Sequence, residues 1–308
     1  MGTSLSGPDV SVVVVSYDAR ALLEQCLRSV AAAAEPLAWE TIVVDNASSD
    51  GSRELVAREF PEVSLLVNDT NAGFASAFNR GLGATRGRHV LMLNSDAVLL
   101  PGALPALARH LDDHSAAGAV APRLVDPAGR PVHSCFRFPS LTRPHLDVRL
   151  LAPVIGNRFA LAYPDDDPRV VVGGAVDWAS GACLLLRREA LDAVGALDER
   201  YFMYFEDVDL CRRLWQGGWQ VACLPAVHVV HAAGGSSHGH ETRLHVERQR
   251  SRLIYFSTHH SGLVTALVRG LAVVAALTRA VTAATRLRFE RVTAEGRVIR
   301  LALGGVGR

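Results

Sequence analysis

Lysine is absent from this 308-residue chain, and arginine carries the fixed positive charge. Formal net charge is only +1, so the whole molecule lacks the basic excess of a nucleic-acid binder. The five cysteines (Cys26, Cys135, Cys183, Cys211, Cys223) form no C-x-x-C pair, which speaks against a zinc ribbon or a redox dithiol. Three of them sit in apolar segments, where reduced, buried thiols of a cytoplasmic protein are expected. No G-x-G-x-x-G follows the first β-branched run, which argues against a dinucleotide fold. Met1 to Asp9 lacks the basic and apolar regions of a signal peptide, so secretion is not expected. No uninterrupted apolar run reaches transmembrane length. What is abundant is apolar residues, at 49%, enough for one large α/β domain or two small ones.

Taken in order, the first half alternates strands and helices. Val10 to Val15 is a β-branched run read as a buried strand, and Ala21 to Ala34 a helix with Leu22, Leu23, Cys26, Leu27 and Val30 on one face. Trp39 to Val44 is a second strand, and the polar turn 45–52 caps a helix from Arg53 to Glu59. Val63 to Val67 is a third strand, Asn71-Ala72-Gly73-Phe74 opens a helix, and His89 to Leu93 is a fourth strand running into Asn94-Ser95-Asp96. This is the pattern of a parallel sheet with crossover helices, whose ligands sit at the carboxyl ends of strands. Asp45, Asn71 and Asp96 fall at such ends. Each cluster alone also suits an ordinary turn.

Further on, Pro101 to Leu111 reads as a helix and Gly118 to Pro122 as a short strand. From Arg123 to Val170 the periodicity breaks down and proline recurs, so a long loop able to close over substrates is expected. Asp165 to Asp167 reads as a solvated acidic run without the scaffold a metal would need. Val170 to Val176 and Ala182 to Leu186 read as strands around Trp178, and Glu189 to Val194 as a helix. The stretch Tyr201-Phe202-Met203-Tyr204-Phe205 then meets three carboxylates, Glu206, Asp207 and Asp209. Apolar residues at Val208, Cys211, Leu214 and Trp215 have helical spacing, and Gly217 and Gly218 end it. Glu206 and Asp207 therefore stand where an aromatic loop enters a helix, where the dipole favours anions. A carboxylate there either takes a proton from a substrate hydroxyl or is a plain acidic first turn.

Six ordered segments carry a resemblance: 14–17, 43–52, 71–74, 93–96, Trp178 to Ala182, and Phe205 to Leu210. Together they resemble family 2 inverting glycosyltransferases, and within them the rhamnosyltransferase-like enzymes, over roughly residues 10 to 240. The resemblance implies an α/β fold of GT-A type: a nucleotide-binding sheet, mostly parallel, with crossover helices, followed here by a C-terminal helical tail. It implies a nucleotide-sugar half at 10–122, an acceptor-binding and catalytic half of the same domain at 123–240, and a tail at 241–308.

By the same resemblance, Ser16, Tyr17 and Asp45 would hold the nucleotide base, with Asn71, Gly73, Ser95 and Asp96 along the rest of the donor. A carboxylate can accept the imide N–H of uracil or thymine, and a glycine lets the chain pass close. Asp96 matches the end of the family's metal-binding D-x-D element, although Asn94 replaces its first acid. His231, before Gly234-Gly235-Ser236-Ser237, matches a late histidine, so Asp96 and His231 would hold Mg²⁺ or, given the nitrogen donor, Mn²⁺. His228 lies inside a β-like run and is read as structural. Trp178, Gly181, Tyr204 and Phe205 would border the acceptor, although a core role for Trp178 stays open.

Asp207 is expected as the general base, with Glu206 in support. Asp209 points about 200° around the helix from Asp207. Near a helix N-terminus Asp207 tends to stay ionised, while burial by Tyr204 and Phe205 opposes this.

The expected reaction is metal-dependent, inverting transfer of a sugar, L-rhamnose from dTDP-L-rhamnose, to a saccharide or polyprenyl-diphosphate-linked acceptor in cell-wall polysaccharide synthesis. UDP-sugars, galactofuranosyl or other hexosyl transfer, and a catalytically silent nucleotide-sugar-binding module are the alternatives. A nucleotidyltransferase would want a Gly-rich basic loop after the first strand, which Ser16-Tyr17-Asp18 does not supply. The tail interleaves arginines (243, 248, 250, 252, 269, 279, 286, 288, 291) with an apolar run from Leu253 to Leu277. That pattern suits peripheral contact with the inner face of an anionic membrane, or a helix packed on the domain, or a homodimer contact.

Overall fold

Strand β1 (Val10–Ser16) is the hub of the fold in a computed structural model that describes residues 7–141, 161–164, 166–232 and 241–304. Its valines at 10, 12, 13 and 14 are wholly buried, as a strand covered on both faces requires. It pairs in parallel with β2 (Trp39–Asp45) on one side and β4 (His89–Asn94) on the other. β3 (Ser64–Val67) adds in parallel outside β2. The crossovers α1 (Arg20–Ala34), α2 (Ser52–Glu59) and α3 (Phe74–Leu82) connect them, and α1 buries Leu23, Cys26, Leu27 and Val30.

Beyond β4 the sheet changes character. β5 (Ala97–Leu99), α4 (Ala103–Asp113) and β6 (Ala117–Val125) follow, then short β7 (Pro131–Val132) and β8 (Cys135–Phe136). Helix α5 (Pro168–Val171) precedes β9 (Gly174–Val176), β10 (Trp178–Ala179), β11 (Cys183–Arg187) and α6 (Arg188–Val194). Helix α7 (Glu206–Gln216) and β12 (Gln220–His231) complete the main body. The ten-stranded sheet has the order β3-β2-β1-β4-β11-β6-β12-β5, with β7 and β9 at its margins. β3, β2, β1, β4, β6 and β12 run one way and β11 and β5 the other, so the sheet is mostly parallel but mixed. Apolar cores lie on both faces of the sheet.

Two expectations change. Val170 to Val176 is not one strand: Pro168 occupies a first helical position and Asp167 caps it by accepting the Arg169 N–H, so the chain makes α5 before β9. Asp167 is correspondingly buried, paired with Arg169 and Arg137 rather than solvated, and its carboxyl is held down to about 2 chiefly by the Arg169 hydrogen bond. Asp165 and most of the expected substrate-closing loop (142–160) lie outside the described residues, as does Gly234-Gly235-Ser236-Ser237.

The tail is three helices, α8 (Glu241–His259), α9 (Gly262–Thr285) and α10 (Phe289–Gly304). Leu253, Ile254, Tyr255 and Phe256 of α8 join the apolar core that also holds Phe205, Val208 and Leu210, so this part of the apolar run is protein interior, not a membrane face. α9 also corrects the sequence reading, since it is long and apolar enough, by length and composition alone, to cross a bilayer. Arg269 breaks the run of letters without lowering the average enough to matter. All five cysteines are free and buried. Burial raises the thiols of Cys183 and Cys211 to about 12, which keeps both protonated.

Candidate active site

The carboxyl ends of β1 and β4, the turn before α7 and the start of α8 enclose a cleft of about 660 Å³. On one side stand Tyr17, Asn71, Gly73, Ser95 and Asp96. Asn46, which the sequence reading passed over, organises this side. Its amide donates to Asn71 Oδ1 (2.9 Å) and to the Gly73 carbonyl (3.2 Å), and its own carbonyl accepts from Asn68 Nδ2 and the Ala72 N–H. Gly73 is required where it is. Its φ is +86°, and a Cβ there would lie 2.5 Å from the Phe202 carbonyl oxygen. That carbonyl accepts the Phe74 N–H at 2.7 Å, tying the 71–74 segment to the stretch leading into α7.

Ser16 and Asp45 do not line the cleft. They end β1 and β2 side by side, both buried. Asp45 Oδ1 accepts from Arg53 Nε (2.7 Å) and the Ser48 N–H (3.0 Å), because the 45–52 turn folds back over it. Asp45 Oδ2 and Ser16 Oγ are buried without a partner among the described residues.

Asp96 and His231 are brought together by a pairing that the sequence did not announce. β5 runs antiparallel to β12 with His231 opposite Ala97, so Asp96 at the entry to β5 meets the end of β12. Asp96 Oδ1 lies 3.2 Å from His231 Nε2, and the Ala232 N–H donates to the Asp96 carbonyl. An aspartate oxygen and an imidazole nitrogen side by side at a cleft wall fit a hard-to-borderline divalent cation that takes its other donors from diphosphate and water. Among the described residues no group of three or more His, Cys, Asp and Glu side chains could hold a metal by itself. His228 faces outward and is exposed, as its strand position dictates.

The opposite wall is the entrance to α7. Tyr204 and Phe205 both have left-handed backbones, φ 69° and 68°, an uncommon strain for two aromatics in succession. The double kink turns Glu206 and Asp207 into the cleft. Asp207 Oδ2 accepts the Gly181 N–H at 2.9 Å and Oδ1 the Val208 N–H at 2.8 Å. Gly181 serves this contact directly, since a Cβ there would press on Met92 Sδ and on Asp207 Cβ. Burial raises the Asp207 carboxyl above its ordinary value, against the opposing pull of these N–H groups. Glu206 is nearly buried, with Oε2 unpartnered, and burial together with the Asp207 charge pushes its carboxyl well up.

Asp209 does point away. It receives Arg213 Nε at 2.8 Å and sits 2.6 Å from His259 Nε2 of α8. Trp178 reaches the cleft only marginally: it is 9% exposed, stacked on Phe136 at 4.3 Å, with its indole N–H donated to the Arg137 carbonyl. One flat face is therefore occupied by protein. Phe205 packs on Tyr255 of α8. Arg243 and Arg248 of α8, placed by sequence in a membrane-facing run, line the cleft instead.

The profile of the family Glycosyl transferase family 2 matches residues 11–195. The chain is 34% identical over 270 residues to an N-acetylglucosaminyl-diphospho-decaprenol L-rhamnosyltransferase of Mycobacterium tuberculosis, covering 82% of this chain and 85% of that protein. A 58-residue segment is 43% identical to the rhamnosyltransferase WbbL of Escherichia coli, covering 19% of this chain and 22% of that one. In fold, it superposes on the mannosyltransferase PcManGT from Pyrobaculum calidifontis, solved with GDP-Man and Mn²⁺, with a TM-score of 0.55 at 20% identity. That likeness spans 96% of this chain and 86% of the other. The TarS structure from S. aureus gives 0.53 at 17% identity, over 84% of this chain and 42% of that one. The chain belongs to glycosyl transferase family 2, as a GT-A-fold glycosyltransferase of the rhamnosyltransferase-like group.

Proposed function

We propose that this enzyme transfers L-rhamnose from dTDP-L-rhamnose, with inversion, to a hydroxyl of a polyprenyl-diphosphate-linked saccharide on the inner membrane face. The observation that carries the reading is Asp207, fixed by two backbone N–H groups in the cleft that also holds Asp96 and His231. The division of labour follows the chain: donor at 10–122, acceptor and base at 123–240, and in the tail α8 against the cleft and α9 against the membrane.

Asp207 takes the proton of the acceptor hydroxyl as that oxygen attacks the anomeric carbon from the face opposite the diphosphate. Its raised proton affinity strengthens it as a base, and the N–H groups on both oxygens fix its direction. Burial and the neighbouring Asp207 charge raise the proton affinity of Glu206, which weakens charge repulsion between the two carboxyls. Asn46 holds the Asn71–Gly73 loop against the donor. Asp96 and His231 would hold Mg²⁺ or Mn²⁺, which supplies charge neutralisation for the leaving diphosphate.

The test is a panel of dTDP-, UDP- and GDP-sugars with Mn²⁺ or Mg²⁺ and a lipid-linked acceptor, scoring nucleoside-diphosphate release. dTDP-L-rhamnose is expected to turn over fastest. A UDP-hexose preferred instead would move the enzyme to galactofuranosyl or other hexosyl transfer, and no release from any donor would sink the reading.

A further inference from the structure

The tail helix α8 turns two arginines into the cleft, and neither has a carboxylate partner among the described residues. Arg243 stacks over the Phe202 ring at 5.1 Å and Arg248 over the Tyr204 ring at 4.4 Å. A guanidinium stacked on an aromatic face is held in place while its in-plane N–H fork stays free. That fork is the side-chain geometry best matched to phosphate oxygens. The aromatics are anchored in turn: the Phe202 carbonyl is bonded to Phe74, and Ser251 Oγ of α8 donates to the Met203 carbonyl at 2.9 Å. The arginines therefore stand on a fixed platform beside the base. Glu241, on the same helix, also reaches the cleft and is exposed, so the two arginines share the cleft with this carboxylate and with Asp96, Glu206 and Asp207.

We infer that Arg243 and Arg248 form a diphosphate subsite for the acceptor, distinct from the donor diphosphate site. The inference rests on the proposed lipid-linked acceptor. Charge placement argues for the acceptor side. The donor diphosphate has the Asp96–His231 pair at the ends of β5 and β12, whereas the arginines stand on the residues that lead directly into Asp207. The acceptor hydroxyl must come to Asp207, and the diphosphate that follows its sugar then falls under the arginine forks. The helix after α8 carries an exposed apolar stripe, with Leu263, Leu267, Leu271, Val274, Leu277 and Val281 all outward, so an isoprenoid chain leaving this subsite would have an apolar surface on the same tail.

Calorimetry with geranyl diphosphate tests this on the full chain, with dTDP and Mn²⁺ saturating so that the donor half is occupied. The wild type is expected to bind, and Arg243→Gln/Arg248→Gln to lose at least about tenfold in affinity while its dTDP affinity moves less than about twofold. Arg243→Lys/Arg248→Lys is expected to fall between, because charge without the fork is retained. Displacement of geranyl diphosphate by dTDP would assign the arginines to the donor and overturn the inference. So would failure of the wild type to bind, or equal binding of geraniol. Because the readout is binding, it fails or succeeds independently of which sugar is transferred.

Discussion

Asp207 and Glu206 are neighbours in sequence with unequal surroundings, and the inequality is testable. Asp207→Asn removes the base and keeps an acceptor oxygen for only one of the two backbone N–H groups, so turnover is expected to fall by roughly 10²–10⁴ with donor affinity nearly intact. Steady-state rates and nucleotide binding would measure both, and wild-type turnover would refute the assignment. Since Asp207's carboxyl is raised, kcat/KM is expected to climb with pH through a value above that of an ordinary aspartate. Glu206 gives the matching stability signature. Its folded-state value is raised, so the stability linked to its proton is full below the unfolded value and is lost as pH rises through the folded one. Glu206→Gln cannot ionise, so its melting temperature relative to wild type should rise as pH rises above the ordinary glutamate range. A constant difference would show that Glu206 is already ionised throughout. Asp207, Asp96 and Gly73 were legible because each sits in a short motif at a strand or helix end. Asn46 was not singled out, because its importance lies in partners more than twenty residues away.

At the scale of elements, register and docking determine what the site is made of. Nothing in Asn94-Ser95-Asp96 announces β5, a three-residue strand, yet its pairing with β12 is what places His231 on Asp96. The break at Val170 to Val176 was hidden because valine runs read as strand, while the capping pair Asp167-Pro168 overrides that propensity locally. Helix α8 stays ambiguous in the sequence for a related reason: its arginines and apolar residues suit a bilayer surface or a packed helix equally until the partners are known, and the structure packs it. Its inner half instead locks to the catalytic turn through Asp209–His259, Phe205–Tyr255 and Ser251–Met203. Asp209→Ala would strand His259 and free Arg213 from its buried partner. The expected cost is roughly 3–5 kcal/mol of stability by urea titration, with α8 loosened from α7. A change under about 0.5 kcal/mol, the range of a surface substitution, would mean that the buried triad does not clamp the tail.

For the molecule as a whole, strand–helix alternation made the first half of the sheet readable. Its mixed second half was not, because β11 enters antiparallel between β4 and β6 and no local pattern reports strand direction. The tail leaves one surface unpartnered by the fold. Along α9 the residues exposed every three or four positions are apolar, with Leu263 73% and Val281 65% exposed, while Arg279 on a less exposed side pairs with Glu295 of α10. Arg286, Arg288 and Arg291 are exposed just beyond its end. Although α9 has the length to span a bilayer, an ion pair and packing against α8 and α10 on its other sides suit a helix lying in the interface, apolar face down. Each exposed leucine entering lipid contributes about 1.5–3 kcal/mol, and the arginines add attraction to anionic headgroups. Leu271→Glu/Leu277→Glu is therefore expected to weaken co-sedimentation with anionic vesicles by more than about tenfold, with added salt weakening the wild type as well. Unchanged sedimentation would remove the membrane from this face. If size-exclusion chromatography instead showed a wild-type dimer that the substitutions split, the stripe would be a contact between two copies of the chain.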